Sequence, residues 1–250
     1  MPFTSRHSHE GAKRAVLNFA GATTRRRILD MPSGNGELAD ALRALGHAVV
    51  TADIVPSRPE DLRVDMARPL PFQDEEFDLT LCVEGIEHVL ETHALVRELT
   101  RITRRGGHIL VSTPNVMGLY SRLQYLFTGF HFLFDFTMGV PDHPGEGQDR
   151  GHVTPVSYLQ LRYLFGLEGA RPVEITTDKF KRKALLPLYF LIAAVGWLWA
   201  RLLLRRARDP EDQPGRTRTM LAEIFSAPVL LGRSLIVVFE RAPGSASARG

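Results

Sequence analysis

Asp30, Gly34, Gly36 and Asp53 have the residue types and spacing of a nucleotide-binding turn. In ILDMPSGNGELA (28–39) an apolar run ends on an acid, a glycine turn follows, and a helix begins. Glycines at 34 and 36 remove Cβ atoms where backbone must pass close to a ligand. Asp53 closes a second apolar run, AVVTAD, and its carboxylate can accept hydrogen bonds from two ribose hydroxyls. The stretch from Gly34 to Ala39 also fits the relaxed dinucleotide pattern G-x-G-x-x-A. A second constellation lies in CVEGIEHV, where Glu84, Glu87 and His88 stand at i, i+3 and i+4 and could converge on one point of a helical turn. His88 and His152 are the candidates for a general base, since imidazole exchanges protons near neutral pH. The plain alternative for each is a histidine that caps a helix or bonds to backbone.

Three further features join this set: Asp30 just before the turn, Val64-Asp65-Met66 twelve residues after Asp53, and the run EEFDLTLCVEGIEHV. With them, residues 25–115, and more loosely 150–178 and 230–240, resemble the class I S-adenosylmethionine-dependent methyltransferases. The resemblance implies that Asp30 and the loop Pro32, Ser33, Gly34, Asn35 and Gly36 hold the methionine part of the cofactor. It implies that Asp53 with Ile54 takes the ribose, that Asp65 with Met66 meets the adenine, and that Glu84 stands near the sulfonium. Pro32 departs from the glycine usual in the family; proline fixes φ and has no N–H. CVEGIEHV is similar to the pattern CMExLEHV of ubiquinone-pathway O-methyltransferases. The carry-over makes Glu84, Glu87 and His88 candidate ligands of a divalent metal such as Mg²⁺, which would lower the pKa of a bound hydroxyl. Gly151-His152-Val153-Thr154-Pro155 resembles the loop and following helix that close the acceptor pocket in this group.

The elements that must position these residues are legible from pattern. Strands are expected at about 27–31, 48–53, 77–83, 107–113, 171–178 and 233–240, with a further one near 61–65. Helices are expected at about 8–20, 36–45 and 92–104; in the last, apolar residues recur at 95, 96, 99 and 102, and Arg105-Gly106-Gly107 ends it. Strand–helix alternation argues for an α/β fold with helices on both faces of the sheet. The resemblance makes this a Rossmann-like seven-stranded methyltransferase sheet in the order 3-2-1-4-5-7-6, its last strand antiparallel. One domain over 1–242 and a disordered tail over 243–250 are expected.

Two segments fall outside that plan. Residues 116–150 carry seven of the 21 aromatics and end in a loop rich in Pro, Gly and acid. They follow the fifth strand, on the side where open α/β sheets bind ligands, and read as a lid over the acceptor. The alternative is an ordinary buried helix pair. Residues 184–204, ALLPLYFLIAAVGWLWARLLL, form a hydrophobic insertion between the last two strands. As a helix it would reach about 31 Å, near the ~30 Å hydrocarbon thickness. A single span would separate two strands of one sheet, and basic residues flank both ends, which the positive-inside bias keeps on one side. Pro187 and Gly196 are expected to break the helix, giving a shallow or re-entrant anchor. A buried core hairpin or a dimer interface is the alternative.

Charge supports a membrane surface rather than nucleic acid. The net charge is only +3, yet residues 171–208 hold nine Lys/Arg against two Asp/Glu. These flank an apolar block instead of lining a groove interleaved with aromatics. Cys82 is the one cysteine, which suits a reducing cytoplasm, and the scattered charge of the first residues gives no secretory signal.

The expected function is therefore S-adenosylmethionine-dependent methyl transfer, to oxygen, on a hydrophobic or lipid-linked small molecule at the cytoplasmic face of a membrane, with the chain peripherally or monotopically attached. Three rivals stand beside it: methylation of a soluble sugar in surface-glycan synthesis, a dinucleotide-dependent oxidoreductase, and a non-catalytic membrane-attached relic of the fold.

Overall fold

The computed structural model describes residues 9–21, 24–134, 151–180, 186–206 and 214–243. Seven strands form one sheet: β1 (Arg27–Asp30), β2 (Ala48–Asp53), β3 (Leu62–Arg63), β4 (Phe77–Val83), β5 (Thr103–Pro114), β6 (Ala170–Thr177) and β7 (Ser234–Arg241). Their order is β3-β2-β1-β4-β5-β7-β6, as the sequence reading expects. β1 to β5 run parallel, and β7 is antiparallel to both its neighbours. The classic dinucleotide-binding sheet has the order 3-2-1-4-5-6 instead.

The central strands are apolar on both sides because both sides are covered. Along β7, Leu235, Val237 and Phe239 pack with α3 (Thr92–Ile102) and α5 (Tyr158–Leu167). The alternate residues Ile236 and Val238 pack with α1 (His9–Gly21) and α2 (Glu37–Ala44). Phe165 stacks on Phe239 with ring centroids 4.0 Å apart. Truncating either ring to alanine costs about 3–5 kcal/mol.

The third helix is shorter than its pattern suggests. It ends at Ile102, and β5 starts at once, where Thr103 pairs with Phe77. The glycines at 106 and 107 do not stop a helix; they lie inside β5, at an irregularity of the β4–β5 ladder. Gly106 has φ +70°, and a Cβ on Gly107 would come within 2.9 Å of the Asp78 carbonyl oxygen.

After β5 the chain forms α4 (Leu119–Thr128), the described part of the expected lid; residues 135–150 lie outside the described residues. Between β6 and β7 come α6 (Leu186–Arg206), α7 (Pro214–Ile224) and α8 (Ala227–Leu231). The expected break in the apolar insertion does not occur: α6 is one continuous helix of 21 residues. Pro187 sits in its first turn, where no intrahelical N–H is needed, and Gly196 is carried within it. Nor is the insertion a core element, since only 6% of its apolar window is buried. The tail beyond residue 243 lies outside the described residues.

Candidate active site

The residues expected to hold a cofactor lie at the carboxyl ends of β1, β2 and β3. β1 delivers Asp30, which is 1% exposed, and its Oδ2 has no hydrogen-bond partner. Burial chiefly, with Asp53 and Asp61 adding to it against Arg43, pushes its pKa up to about 7. A buried carboxyl with an unused oxygen at the head of a glycine turn fits the cationic amino end of a ligand.

The turn itself is built by backbone. Ser33 N donates to the Ala52 carbonyl at 3.0 Å, and Gly36 N to the Ser33 carbonyl at 3.0 Å. Gly34 and Gly36 hold φ of +53° and +76°, conformations that favour glycine. Gly34 N donates to Asp53 Oδ2 at 2.9 Å, and Val55 N to its Oδ1 at 3.0 Å, so the Asp53 carboxylate is oriented by the loops it joins. Asn35 Oδ1 accepts from Glu37 N and opens α2. Pro32 is accommodated by a glycine across the cleft: a Cβ on Gly85 would stand 2.5 Å from the proline Cδ. Ile54 is exposed, Asp65 and Met66 are half-buried just after β3, and Asp65 Oδ1 accepts from Ala67 N.

Two groups here escaped the sequence reading. Arg58 makes a bidentate pair with Asp40 of α2, both contacts at 2.7 Å. Its guanidinium covers Gly36, 2.4 Å from where a Cβ would be. Asp61, buried, accepts from Ser57 N and Arg58 N and so shapes the loop that carries Arg58. The Ser57–Asp61 spacing is the only sequence signal of that loop, and it is a weak one.

The second half of the site sits at the end of β4. Glu84 has φ +50°, an unusual conformation for a residue with a side chain. Its carboxylate accepts from the Ser112 hydroxyl of β5, and its N–H donates to the Ser112 carbonyl. Glu84 thus does not join Glu87 and His88 as the metal reading expected. His152 takes its place: one ligand atom from each of Glu87, His88 and His152 lies within 4.8 Å of the others. The turn Ile86–His88 is held against the 151–154 segment by two bonds, from Val153 N and Thr154 N to the Glu87 carbonyl at 2.9 and 3.0 Å. The Thr154 hydroxyl adds a third, to the Val89 carbonyl at 2.9 Å.

Both imidazoles are fixed by carbonyls. His88 Nδ1 bonds to Gly151 O at 2.9 Å, and His152 Nδ1 to Leu133 O at 2.8 Å. A carbonyl only accepts, so each Nδ1 carries the proton and each Nε2 presents its lone pair. The rings meet edge to face, 5.1 Å between centroids, and Phe134 packs on His152. Burial pushes both histidine pKa values below the usual value, His88 also feeling His152. Glu87 is fully buried, with Oε1 3.9 Å from His152 Nε2. Burial, and then the Glu84 carboxylate, push its pKa well above the ordinary range. A buried carboxyl grouped with two imidazoles is a site that can accept a proton or hold a cation.

The sheet order, with its antiparallel β7, matches the Rossmann-like fold of the S-adenosylmethionine-dependent methyltransferases. A family described as "Methyltransferase domain" matches residues 5–168, and the chain belongs to it. Among curated proteins it is 32% identical over 115 residues to a ubiquinone biosynthesis O-methyltransferase of Xanthomonas oryzae pv. oryzae, covering 40% of this chain and 46% of that protein. It is 36% identical over 118 residues to a demethylmenaquinone methyltransferase of Clavibacter sepedonicus, covering 41% and 46%. The matched part thus spans under half the length of these relatives. In solved structures, a SAM-dependent methyltransferase from Archaeoglobus fulgidus superposes with a TM-score of 0.57 at 15% identity, over 94% of this chain and 95% of that one. The 1,6-didemethyltoxoflavin-N1-methyltransferase of Burkholderia thailandensis gives 0.53 at 12%, over 96% and 80%. At these identities the structures speak for the fold.

Proposed function

We propose that the chain transfers a methyl group from S-adenosylmethionine to an oxygen of a hydrophobic, quinone-type or lipid-linked small molecule at the cytoplasmic face of a membrane. The carrying observation is the Glu87–His88–His152 group at the end of β4, facing the same carboxyl edge of the sheet as the cofactor cleft. The names of the two curated relatives support the acceptor class. Asp30 and the Ser33–Gly36 turn would hold the amino-acid end of the cofactor, Asp53 the ribose, and Asp65 with Met66 the adenine.

The bound cofactor supplies an electrophilic methyl group, and the protein's work is alignment and proton removal. The acceptor hydroxyl loses its proton to Nε2 of His88 or His152 as its oxygen attacks. The Nδ1–H bonds to Gly151 O and Leu133 O fix the ring that receives it and strengthen when that ring becomes an imidazolium. The close packing of Phe134 on His152 restricts water there.

A divalent cation at Glu87, His88 and His152 is a second reading, favoured by the 4.8 Å spread of their ligand atoms. Activity that survives dialysis against a chelator would rule it out. The first test is calorimetric titration with S-adenosylmethionine beside Asp53→Ala. Binding weakened at least tenfold by the substitution supports the reading; absence of binding to the folded chain refutes it and favours the relic. Acceptor screening with prenylated phenols and with sugars then separates the lipid reading from the glycan one.

A further inference from the structure

Helix α6 has two faces of different fate. Tyr189, Ile192, Ala193 and Gly196, spaced i, i+3, i+4 and i+7, turn toward the body of the protein. Tyr189, Ile192 and Ala193 pack among Leu119, Tyr120 and Leu123 of α4 and Leu230 and Leu231 of α8. Phe225, which follows α7, lies under Gly196, where a Cβ would come within 3.8 Å of its ring. The opposite face carries Leu191, Val195, Leu198 and Leu202, all at least half exposed, and Phe190, Trp199 and Leu203 are exposed on the flanks and beyond the packed part of the helix.

The seam fixes the orientation of the helix. α6 is long and apolar enough to cross a membrane. Its first eleven residues are held along the protein surface, however, and the ten that follow Gly196 would reach only about 15 Å, half the hydrocarbon thickness. Trp197 is covered by Arg201, whose guanidinium carbon lies 4.9 Å from the ring centroid, so a cation is built into the apolar band. No Asp or Glu occurs between Lys179 and Arg208, while eight Lys and Arg do. The partner complementary to this helix is therefore apolar within and anionic at its surface.

We propose that α6 is a monotopic docking helix, lying flat at the boundary between headgroups and acyl chains of an anionic bilayer with its Leu191–Leu198–Leu202 face down. The inference deepens the proposed function and rests on it only for the acceptor's class. α4, held in the same seam, exposes Leu126 and Phe127 and leads into Leu133 and Phe134, the residues that fix His152. Docking thus brings lipid beside the segment that shapes the acceptor side of the site.

Both tryptophans of the chain, Trp197 and Trp199, are on this helix, so intrinsic fluorescence reports on it alone. The full chain is mixed with phosphatidylcholine vesicles with or without phosphatidylglycerol, and emission is followed with lipids brominated near the carbonyls or near the chain ends. The expected result is a blue shift, tenfold weaker binding to neutral vesicles, and strongest quenching by the shallow bromines, at a depth of about 5–10 Å. The double variant Leu191→Glu with Leu198→Glu, on the exposed face, is expected to lose the shift while still binding S-adenosylmethionine. Strongest quenching by deep bromines would overturn the proposal in favour of a span. A lipid-independent blue shift with a dimer mass would overturn it in favour of a second copy of the chain. No shift in a chain that binds S-adenosylmethionine overturns it outright. Docking without cofactor binding refutes the proposed reaction and leaves the docking inference standing.

Discussion

The two ends of the sheet's carboxyl edge are built by opposite means. On the β1–β2–β3 side the turn is held through backbone N–H groups: Gly36 N bonds within the turn, Ser33 N bonds to Ala52 of the neighbouring strand, and Asp53 receives two N–H groups from adjoining loops. On the β4–β5 side it is made of side chains from distant segments: Glu87 and His88 meet His152 across more than sixty residues, and Ser112 reaches Glu84. A backbone-built pocket suits a ligand common to a whole family. A side-chain-built pocket can change with each acceptor, because a substitution there leaves the cofactor turn untouched.

The sharpest division of the two halves comes from the histidines. Replacing His88 and His152 together with alanine is expected to lower kcat by about 10²–10⁴-fold while S-adenosylmethionine affinity stays within twofold. If calorimetry shows the cofactor lost as well, the halves are not separable. Both histidine pKa values are lowered, so the neutral base persists below pH ~6.5 and the acid limb of the rate profile falls below that value. The linked stability has the same sign: it is present above pH ~6.5 and is lost as pH falls and the unfolded imidazoles take up protons first.

Asp30 has the opposite linkage. Its pKa is raised to about 7, so its contribution is full below the unfolded value and is lost as pH rises through 7. Asp30→Asn is therefore expected to stabilise the ligand-free protein at pH 8 by up to about 4 kcal/mol, and hardly at pH 4. Cofactor affinity should fall in the same variant. Denaturant melts at the two pH values check the first expectation, and equal shifts at both would refute it.

Gly85→Ala tests a place where the halves touch. The new Cβ would press on Pro32, and a cost of about 1–3 kcal/mol is expected, with weaker cofactor binding although residue 85 belongs to the β4 side. The smallest effect is expected on the exposed face of α6. Leu202→Ala should change stability by no more than about 0.5 kcal/mol, read from the denaturation midpoint. A larger loss would mean that this face packs on protein.

Sequence carried the first half further than the second. Strands β1, β2 and β4 fall within a residue of their apolar runs, and the turn residues lie within a few positions of one another, where pattern is informative. The positions of Glu84 and His152 depend on a left-handed residue at 84 and on the stitching of 151–154 to the turn at 86–88, which no local pattern encodes. Pro187 misled because a proline breaks a helix only beyond its first turn, and the start of α6 is not marked by a polar cap. Arg58 and Asp40 pair across a loop and a helix, eighteen positions apart.

The apolar helices between β6 and β7 leave and rejoin the sheet at one place. Thr177 and Leu235 are partners in register, Phe180 bridges to Gly232, and Asp178 binds both Ser234 N and Arg233. In topological terms everything between is a side branch on a closed neck. The branch also reaches back to the body, where the Asn115 amide donates to the Pro228, Val229 and Gly232 carbonyls and Val229 is buried in the main core. The long helix α6 therefore hangs from the neck without entering the sheet, and the strand order is set by the register closed there.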